Sequence, residues 1–470
     1  MTRTTKGGLP TPLLFQGNFP SFTGHVGTRC LLLLIVLFSA AVRGAESGLP
    51  AAVLPQAGTN TTASSAGRFY TWAEIRRTID RWKREHPQLI HEESLGKTAE
   101  GRDIPILRIS DDADTHAGDK PQILLMGGIH PREQQPQIAV MRLGGELLDG
   151  YGRNERITRL VKTRQIWLIP VLNVDGKVYD MRASDGTARG VNWRKNRSKG
   201  AGGALGVDLN RNFAIRWGGG SLKPGAATYQ GAAPLSEPET RALAAFLESH
   251  PVRVFVDMHS HMAAIFQPMF LIEGEHARYA SMMCGIFAAQ KSRYRTYTNL
   301  PPAGASPADI RGGDTGLSFQ FAYYAAGVYS FNVEIGGATF YDPPARMEQE
   351  YLDNVREPLL YLIDRCADLP VRREGSTKCD LPTSALPLRP GATEHWKPQI
   401  TGSCNYAVLT SLSPDVVVTS EYRTCPIREG FTLKVSKDAK PGAEIPLRLY
   451  LWTADHSRTV VDLRLAIARP

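Results

Sequence analysis

Four short runs in this chain are apolar almost without interruption: Gln122–Met126, Gln165–Val171, Val254–Met258 and Val328–Ile335. A strand with one wet face alternates polar and apolar residues, so an unbroken run requires cover on both faces. Between these runs lie stretches of helical spacing, Gln134–Leu148 and Glu237–Ser249. An earlier helix opens at Thr71, which forms a capping box with Glu74 and is followed by Trp72, Ile75, Ile79 and Trp82 on one face. Ser236 and Glu239 have the spacing of a second capping box. Strands alternating with helices predict an α/β fold, an α/β/α sandwich around a mixed, mostly parallel twisted sheet.

The alternation stops near Cys366. Residues 369–400 are rich in proline and polar residues and read as a linker. From residue 401 the pattern changes to short β-rich runs, Tyr406–Leu412, Val416–Tyr422, Phe431–Val435, Ile445–Trp452 and Val460–Ala468. That spacing predicts a small C-terminal all-β, sandwich-like domain over 401–470.

At the other end, the apolar run Cys30–Val42 is 13 residues long, short of the roughly 20 that a membrane span needs. Arg3, Lys6 and Arg29 precede it and small residues follow, so residues 1–44 read as an export signal cut after Ala41 or Gly44. An uncleaved anchor is the alternative. Residues 45–67, rich in Ala, Gly, Ser and Thr, read as a flexible linker. The expected location is exported: periplasmic, secreted or cell-surface, with no stable membrane span. Setting residues 1–44 aside lowers the formal charge from +9 to +5, because they hold four basic residues and no acid. With no basic cluster interleaved with aromatics, nucleic acid is excluded as a partner. Of the remaining cysteines, Cys404 with Cys425 and Cys366 with Cys379 are the expected disulfides, leaving Cys284 over.

Four motifs carry chemistry. His130-Pro131-Arg132-Glu133 follows the first apolar run, and two intervening residues allow His130 and Glu133 to reach one ion. Asp257-Met258-His259-Ser260-His261 ends the third run, where α/β sheets collect functional groups. A catalytic zinc takes three protein ligands and keeps a position open; His130, Glu133 and His259 supply that set. Strand alternation directs His261 elsewhere, to the pocket wall. Glu334 is the acid in the run Tyr329–Ile335. Burying it is costly unless it has work, and beside a metal that work is to take the proton of an attacking water and deliver it to a leaving amine. The last motif is Asp208-Leu209-Asn210-Arg211-Asn212, with Asn192–Arg197 before it. Arginine grips a carboxylate through two parallel bonds, which suits a peptide C-terminus.

In this order, these motifs resemble the M14 family of zinc carboxypeptidases, the carboxypeptidase A type, over about residues 69–366. Asn173-Val174-Asp175-Gly176 and Pro234-Leu235-Ser236-Glu237-Pro238-Glu239-Thr240 add to the likeness. The resemblance implies a catalytic domain over 68–368 with one Zn2+ held by His130, Glu133 and His259. It further implies Glu334 as general base and Arg194 as partner of the oxyanion. Asn210 and Arg211 then hold the substrate's carboxylate, Arg132 is a further substrate-binding arginine, and His261 stands where many relatives have tyrosine. Pro307–Arg311 lacks the family's mobile tyrosine, for which Tyr341 is a candidate replacement. Gly313–Tyr323 departs from the family's specificity-pocket pattern. The expected function is removal of C-terminal residues from peptides or proteins, by an enzyme made without a zymogen stage. The alternatives are a cell-wall stem-peptide (murein) peptidase or amidase, and a catalytically silent surface binding protein.

Overall fold

The computed structural model of the chain describes residues 68–115, 119–200, 203–268, 271, 275–297, 315–380, 388–419 and 422–468. The export signal expected over 1–44, the linker over 45–67 and the segment Pro307–Arg311 lie outside the described residues. No helix among the described residues is long and apolar enough to cross a membrane.

The helices are α1 (Trp72–Glu85), α2 (Gln134–Gly150), α3 (Glu155–Thr163), α4 (Val174–Asp180), α5 (Pro238–Ser249), α6 (His276–Ala288), α7 (Ser318–Tyr324), α8 (Pro344–Glu350) and α9 (Arg356–Arg365). They accompany one sheet of β1 (Ile90–Lys97), β2 (Asp103–Ile109), β3 (Gln122–Met126), β4 (Gln165–Ile169), β5 (Val252–His261), β6 (Ala264–Phe266), β7 (Arg295–Tyr297) and β8 (Tyr329–Gly336). Their order across the sheet is β1-β2-β4-β3-β5-β8-β6-β7. The centre, β4-β3-β5-β8, is parallel; β1-β2-β4 and β8-β6 are antiparallel. All residues of β3 and β4 are buried, as strands covered on both faces must be. The predicted mixed α/β sheet is therefore the fold.

Two helix starts separate local from tertiary control. Thr71 caps α1 as read, its side chain accepting from Glu74 N while Glu74 reaches back to Thr71 N. The box expected at Ser236 and Glu239 does not form. Proline at position 238 starts α5 one residue late, with Glu237 as the cap residue, and Glu239 is drawn inward to accept from Asn196.

Residues 369–400 are more than a linker. They contain β9 (Arg373–Glu374), β10 (Lys378–Asp380) and β11 (Thr393–Trp396), which join strands from beyond residue 398. Those are β12 (Gln399–Thr401), β13 (Tyr406–Ser411), β14 (Val416–Val418), β15 (Tyr422–Thr424), β16 (Phe431–Val435), β17 (Glu444–Trp452) and β18 (Ser457–Ala466). A five-stranded sheet, β15-β13-β17-β18-β9, faces a three-stranded one, β11-β16-β14, and β10 pairs with β12. Ala407, Leu409, Leu447, Leu449 and Leu451 point between the sheets into a core with Val416, Phe431 and Leu433. The alternate residues Tyr406, Val408, Tyr450 and Trp452 belong to the core of the α/β lobe. Both faces of β13 and β17 are thus covered, which is why these strands read as nearly continuous apolar runs. Cys404 and Cys425 form a disulfide. The expected Cys366–Cys379 bond does not form: Cys366 is buried at the C-terminal end of α9 with its sulfur 3.1 Å from Ile363 O, while Cys379 lies on β10 in the other lobe.

One contact between the lobes is specific. The helix α7 and the turn after it end in four successive carbonyls, each taken by a side chain of the second lobe. Trp452 Nε1 donates to Tyr324 O (3.1 Å), Arg458 to Ala325 O (2.7 Å), Arg372 to Ala326 O (2.6 Å) and His456 Nε2 to Gly327 O (2.9 Å). A helix end otherwise leaves these acceptors to water. Gly327, at φ +68°, has the Trp452 ring 2.0 Å from where a Cβ would stand. Gly327→Val is expected to cost about 3 kcal/mol or more, from overpacking and a strained left-handed backbone. Calorimetry should show both lobes melting earlier in a single transition; two separated transitions would show that the lobes are independent.

Candidate active site

The site is built at the carboxyl end of the parallel strands. After β3 the chain turns at Gly127–Gly128. A Cβ on Gly127 would lie 2.9 Å from the Pro136 carbonyl, and Gly128, at φ +66°, lies equally close to Val171. Glycine alone lets this loop fold back onto the start of α2, and the fold-back presents His130 and Glu133. His259 stands on β5 in register with Glu334 on β8, so both occupy one face of the sheet.

His130, Glu133 and His259 converge. His130 Nδ1 is 2.8 Å from Glu133 Oε1, His259 Nδ1 is 3.1 Å from Glu133 Oε2, and the two imidazole nitrogens are 3.2 Å apart. Donors about 2.0–2.2 Å from a tetrahedral zinc stand roughly 3.3 Å from one another, so the set fits one such ion. They are the only group of three such side chains among the described residues that could hold a metal. Each histidine turns its other nitrogen to a buried acid: His130 Nε2 to Asp208 Oδ1 at 3.0 Å, His259 Nε2 to Asp257 Oδ2 at 3.0 Å. That arrangement fixes the tautomer, leaving Nδ1 free to bind.

Burial opposes the charges of Glu133 and Asp208, but their partners prevail. His130 and His259 hold the Glu133 carboxyl well below its usual range, and Arg194 with His130 does the same for Asp208. Glu334 has no such partner, and burial pushes it up to about 7 despite the pull of His259. Two carboxyls in one site, one held ionised and one poised near neutrality, make an acid–base assignment.

Arg194 grips Asp208 through Nε (3.0 Å) and Nη2 (2.9 Å), and its other terminal nitrogen lies 3.7 Å from Glu133. Its loop is tied on both sides. Before it, Trp193 N donates to Asp180 (2.8 Å) and Asn192 N to the Tyr341 hydroxyl (3.1 Å), which itself donates to Asp180 (2.7 Å). After it, Asn196 donates to Glu237 (2.7 Å) and Glu239 (3.1 Å).

A cavity of about 480 Å³ opens over this cluster and brings together eight of the nine residues singled out in the sequence: His130, Glu133, Arg194, Asn210, Arg211, His259, His261 and Glu334. Asn210 accepts from Ser318 N (3.0 Å), and Arg211 enters no ion pair among the described residues. The His261 ring meets Phe340 edge-on. Arg132, the ninth, does not line the cavity; its guanidinium lies 4.2 Å from the centre of the Phe340 ring, which does. Tyr341 is also outside the cavity, and its hydroxyl braces the Arg194 loop through Asp180 and Asn192 N. Sequence reasoning missed Asp208 and Asp257 as orienting acids, and missed Phe340. Both acids lie within the motifs that hold Asn210 and His259, and the signal that marks them is the one that marks Glu334: an acid in an apolar setting needs a partner.

Comparison with known proteins places this geometry. The model of the zinc carboxypeptidase family, peptidase family M14, matches residues 75–357. Rat (Rattus norvegicus) carboxypeptidase A2 is 36% identical over 204 residues, 43% of this chain and 46% of that protein. Carboxypeptidase O of Bos taurus is 29% identical over 308 residues, 64% of this chain and 79% of that protein. Among solved structures, carboxypeptidase A from Helicoverpa armigera superposes with a TM-score of 0.55 at 22% identity, covering 72% of this chain and 80% of its own. Thrombin-activatable fibrinolysis inhibitor gives 0.56 at 24% identity, over 66% of this chain and 76% of its own; both likenesses are of fold. The chain belongs to the M14 zinc carboxypeptidase family. It spans about half the length of the carboxypeptidase A2 relatives it matches.

The orienting acids generate a prediction. Asp208→Asn and Asp257→Asn keep shape but weaken the hold on each histidine's N–H. Each should reduce zinc affinity by about 10–100-fold, measured by competition with a chelator. Unchanged zinc affinity in both variants would mean that the histidines are held by packing alone.

Proposed function

We propose that the chain is an exported zinc metallocarboxypeptidase that hydrolyses the C-terminal peptide bond of peptides or proteins. The observation that carries this reading is the cavity itself, in which the His130–Glu133–His259 set, the Glu334 carboxyl and an arginine that enters no ion pair among the described residues meet. When bound, zinc supplies a Lewis acid for a carbonyl and lowers the pKa of water.

The chain's own residues do the remainder. Arg211, whose Nη1 donates to Asn210 O (2.6 Å) and which enters no ion pair among the described residues, receives the terminal carboxylate together with Asn210; the guanidinium provides charge-assisted bonds and the amide a further one. Glu334, raised toward neutrality, accepts a proton from the attacking water and passes it to the leaving amine. Arg194, held by Asp208, keeps its remaining N–H groups for the oxyanion that develops on the scissile carbonyl. His261 and Phe340 form part of the wall, and Arg132 behind Phe340 contributes charge to the mouth.

Two measurements test this reading. Purified protein should contain about one zinc per chain, and His130→Ala or His259→Ala should lose it; stoichiometric zinc in both variants would overturn the ligand assignment. Amidating the C-terminus of a good peptide substrate should nearly abolish cleavage. Arg211→Ala should lower kcat/KM for the free acid by at least about thirtyfold, the equivalent of roughly 2 kcal/mol, with far less effect on the amide. Equal cleavage of acid and amide by the unaltered enzyme would identify an endopeptidase or amidase instead.

A further inference from the structure

An acid and an amine lie buried outside the cavity, with no part in the chemistry described so far. Asp180 is the last residue of α4, at the end of the helix where the backbone dipole disfavours a negative charge. Burial pushes its carboxyl up despite the Trp193 N–H and the Tyr341 hydroxyl. Lys177, one turn earlier, is equally buried, and burial brings its ammonium down to about 7 against the pull of Asp180. Such a pair adds little stability once the loss of water is counted.

Its contacts show what it arranges. The chain from Gly190 to Trp193 folds over Asp180, and a Cβ on Gly190 would run into the carboxylate. Val191 N donates to Asp180 O (2.9 Å) and Trp193 N to Asp180 Oδ1 (2.8 Å). Between them Asn192, left-handed at φ 65°, turns its N–H to the Tyr341 hydroxyl, which is itself on Asp180. On the other side stands Gln134, next to the metal-set acid Glu133. It donates to Pro131 O (3.0 Å) and Asp180 Oδ2 (3.4 Å), and accepts from Lys177 Nζ (2.6 Å). Arg132 N completes the join by donating to Trp193 O (3.1 Å). The cluster thus ties the metal loop to the loop that carries Arg194.

We infer that Asp180 and Tyr341 are positioning residues that set Arg194 against the metal set, with Lys177 and Gln134 as their support. This rests on the carboxypeptidase reading, in which Arg194 meets the oxyanion. Neither residue lines the cavity, so each acts through the arginine and not on the substrate. Asp208 grips the guanidinium and fixes its direction, while the wrap around Asp180 fixes the backbone from which that side chain starts. Oxyanion donors must stand where charge will develop, and a displacement of about 1 Å can cost a hundredfold in rate. The oxyanion exists only in the transition state, so a displaced Arg194 lowers kcat and spares KM.

The test uses zinc-loaded Asp180→Asn and Tyr341→Phe with a good peptide substrate, a peptide phosphonate and the free C-terminal amino acid. Asp180→Asn should lower kcat about thirtyfold and Tyr341→Phe about tenfold, with KM within about twofold and zinc content unchanged. Affinity for the phosphonate, whose tetrahedral anion stands in for the oxyanion, should fall by the same factor as kcat/KM, while the free amino acid binds as before. A disturbance of the whole cavity would instead weaken phosphonate and amino acid together, and that result would overturn the inference. So would loss of zinc, or kcat unchanged in both variants. If Asp180→Asn does not fold, Tyr341→Phe, which removes one oxygen, decides alone. If the unaltered protein cleaves no peptide, the carboxypeptidase reading fails on its own, and hydrogen exchange in Tyr341→Phe decides the positioning. Faster exchange of the Asn192, Trp193 and Arg194 amides, with the metal loop unchanged, supports it; unchanged exchange there overturns it.

Discussion

A buried charge must be paired, and in this molecule the acid that enforces the rule most strictly is Asp208. Fully buried, it meets His130 on one side and Arg194 on the other, and its own backbone neighbour Asn210 donates to it. Removing Arg194, the permanent cation among these partners, would leave a poorly compensated anion in the interior. The loop after β3, the Arg194 loop and the Asn210–Arg211 turn are thereby drawn to a single point. His130, Arg194 and the Asn210–Arg211 turn come from segments far apart in the chain, and one carboxylate sets their relative position.

The second tier of control lies in the short helix α7. Its first residues wall the cavity, and its last carbonyls are occupied by Trp452, Arg458, Arg372 and His456. Seven residues are too few to hold themselves in helical form in water. Ser318 anchors one end to Asp257 and Asn210, and the C-terminal lobe anchors the other. A wall that must meet a substrate within tenths of an ångström is thus held by rigid partners at both ends.

Much of this was legible in the sequence, for identifiable reasons. The central strands declared themselves because a parallel strand covered on both faces leaves an unbroken apolar run. The metal set was readable because His130, Glu133 and His259 sit at the ends of such runs. The strand β1 escaped notice because it is mostly polar and only Ile90 is buried; β2, buried from Ile104 to Ile109, escaped because Pro105 and Arg108 interrupt its apolar run. The Ser236 cap failed because Pro238 fixes a helix start more firmly than a side-chain hydrogen bond can. The linker over 369–400 concealed β9, β10 and β11, strands of two to four residues whose existence depends on partners about twenty to eighty-five residues away. Cys366 and Cys379 are near in sequence, but they fall in different lobes. Nothing local announced that the alternate face of β13 and β17 would close the core of the other lobe.

The closing of α7 also has a consequence in time. The chain is made from its N-terminus, and the carbonyls of Tyr324 and Ala325 are synthesised 128 and 133 residues before Trp452 and Arg458, which satisfy them. Until that last stretch exists, the helix end faces water and the wall it supports has no fixed place. Every metal ligand and the acid Glu334 are already present by then. Completion of the cavity wall therefore waits for the segment that carries Trp452 and Arg458, and a product truncated before it would carry His130, Glu133, His259 and Glu334 without the support of that wall.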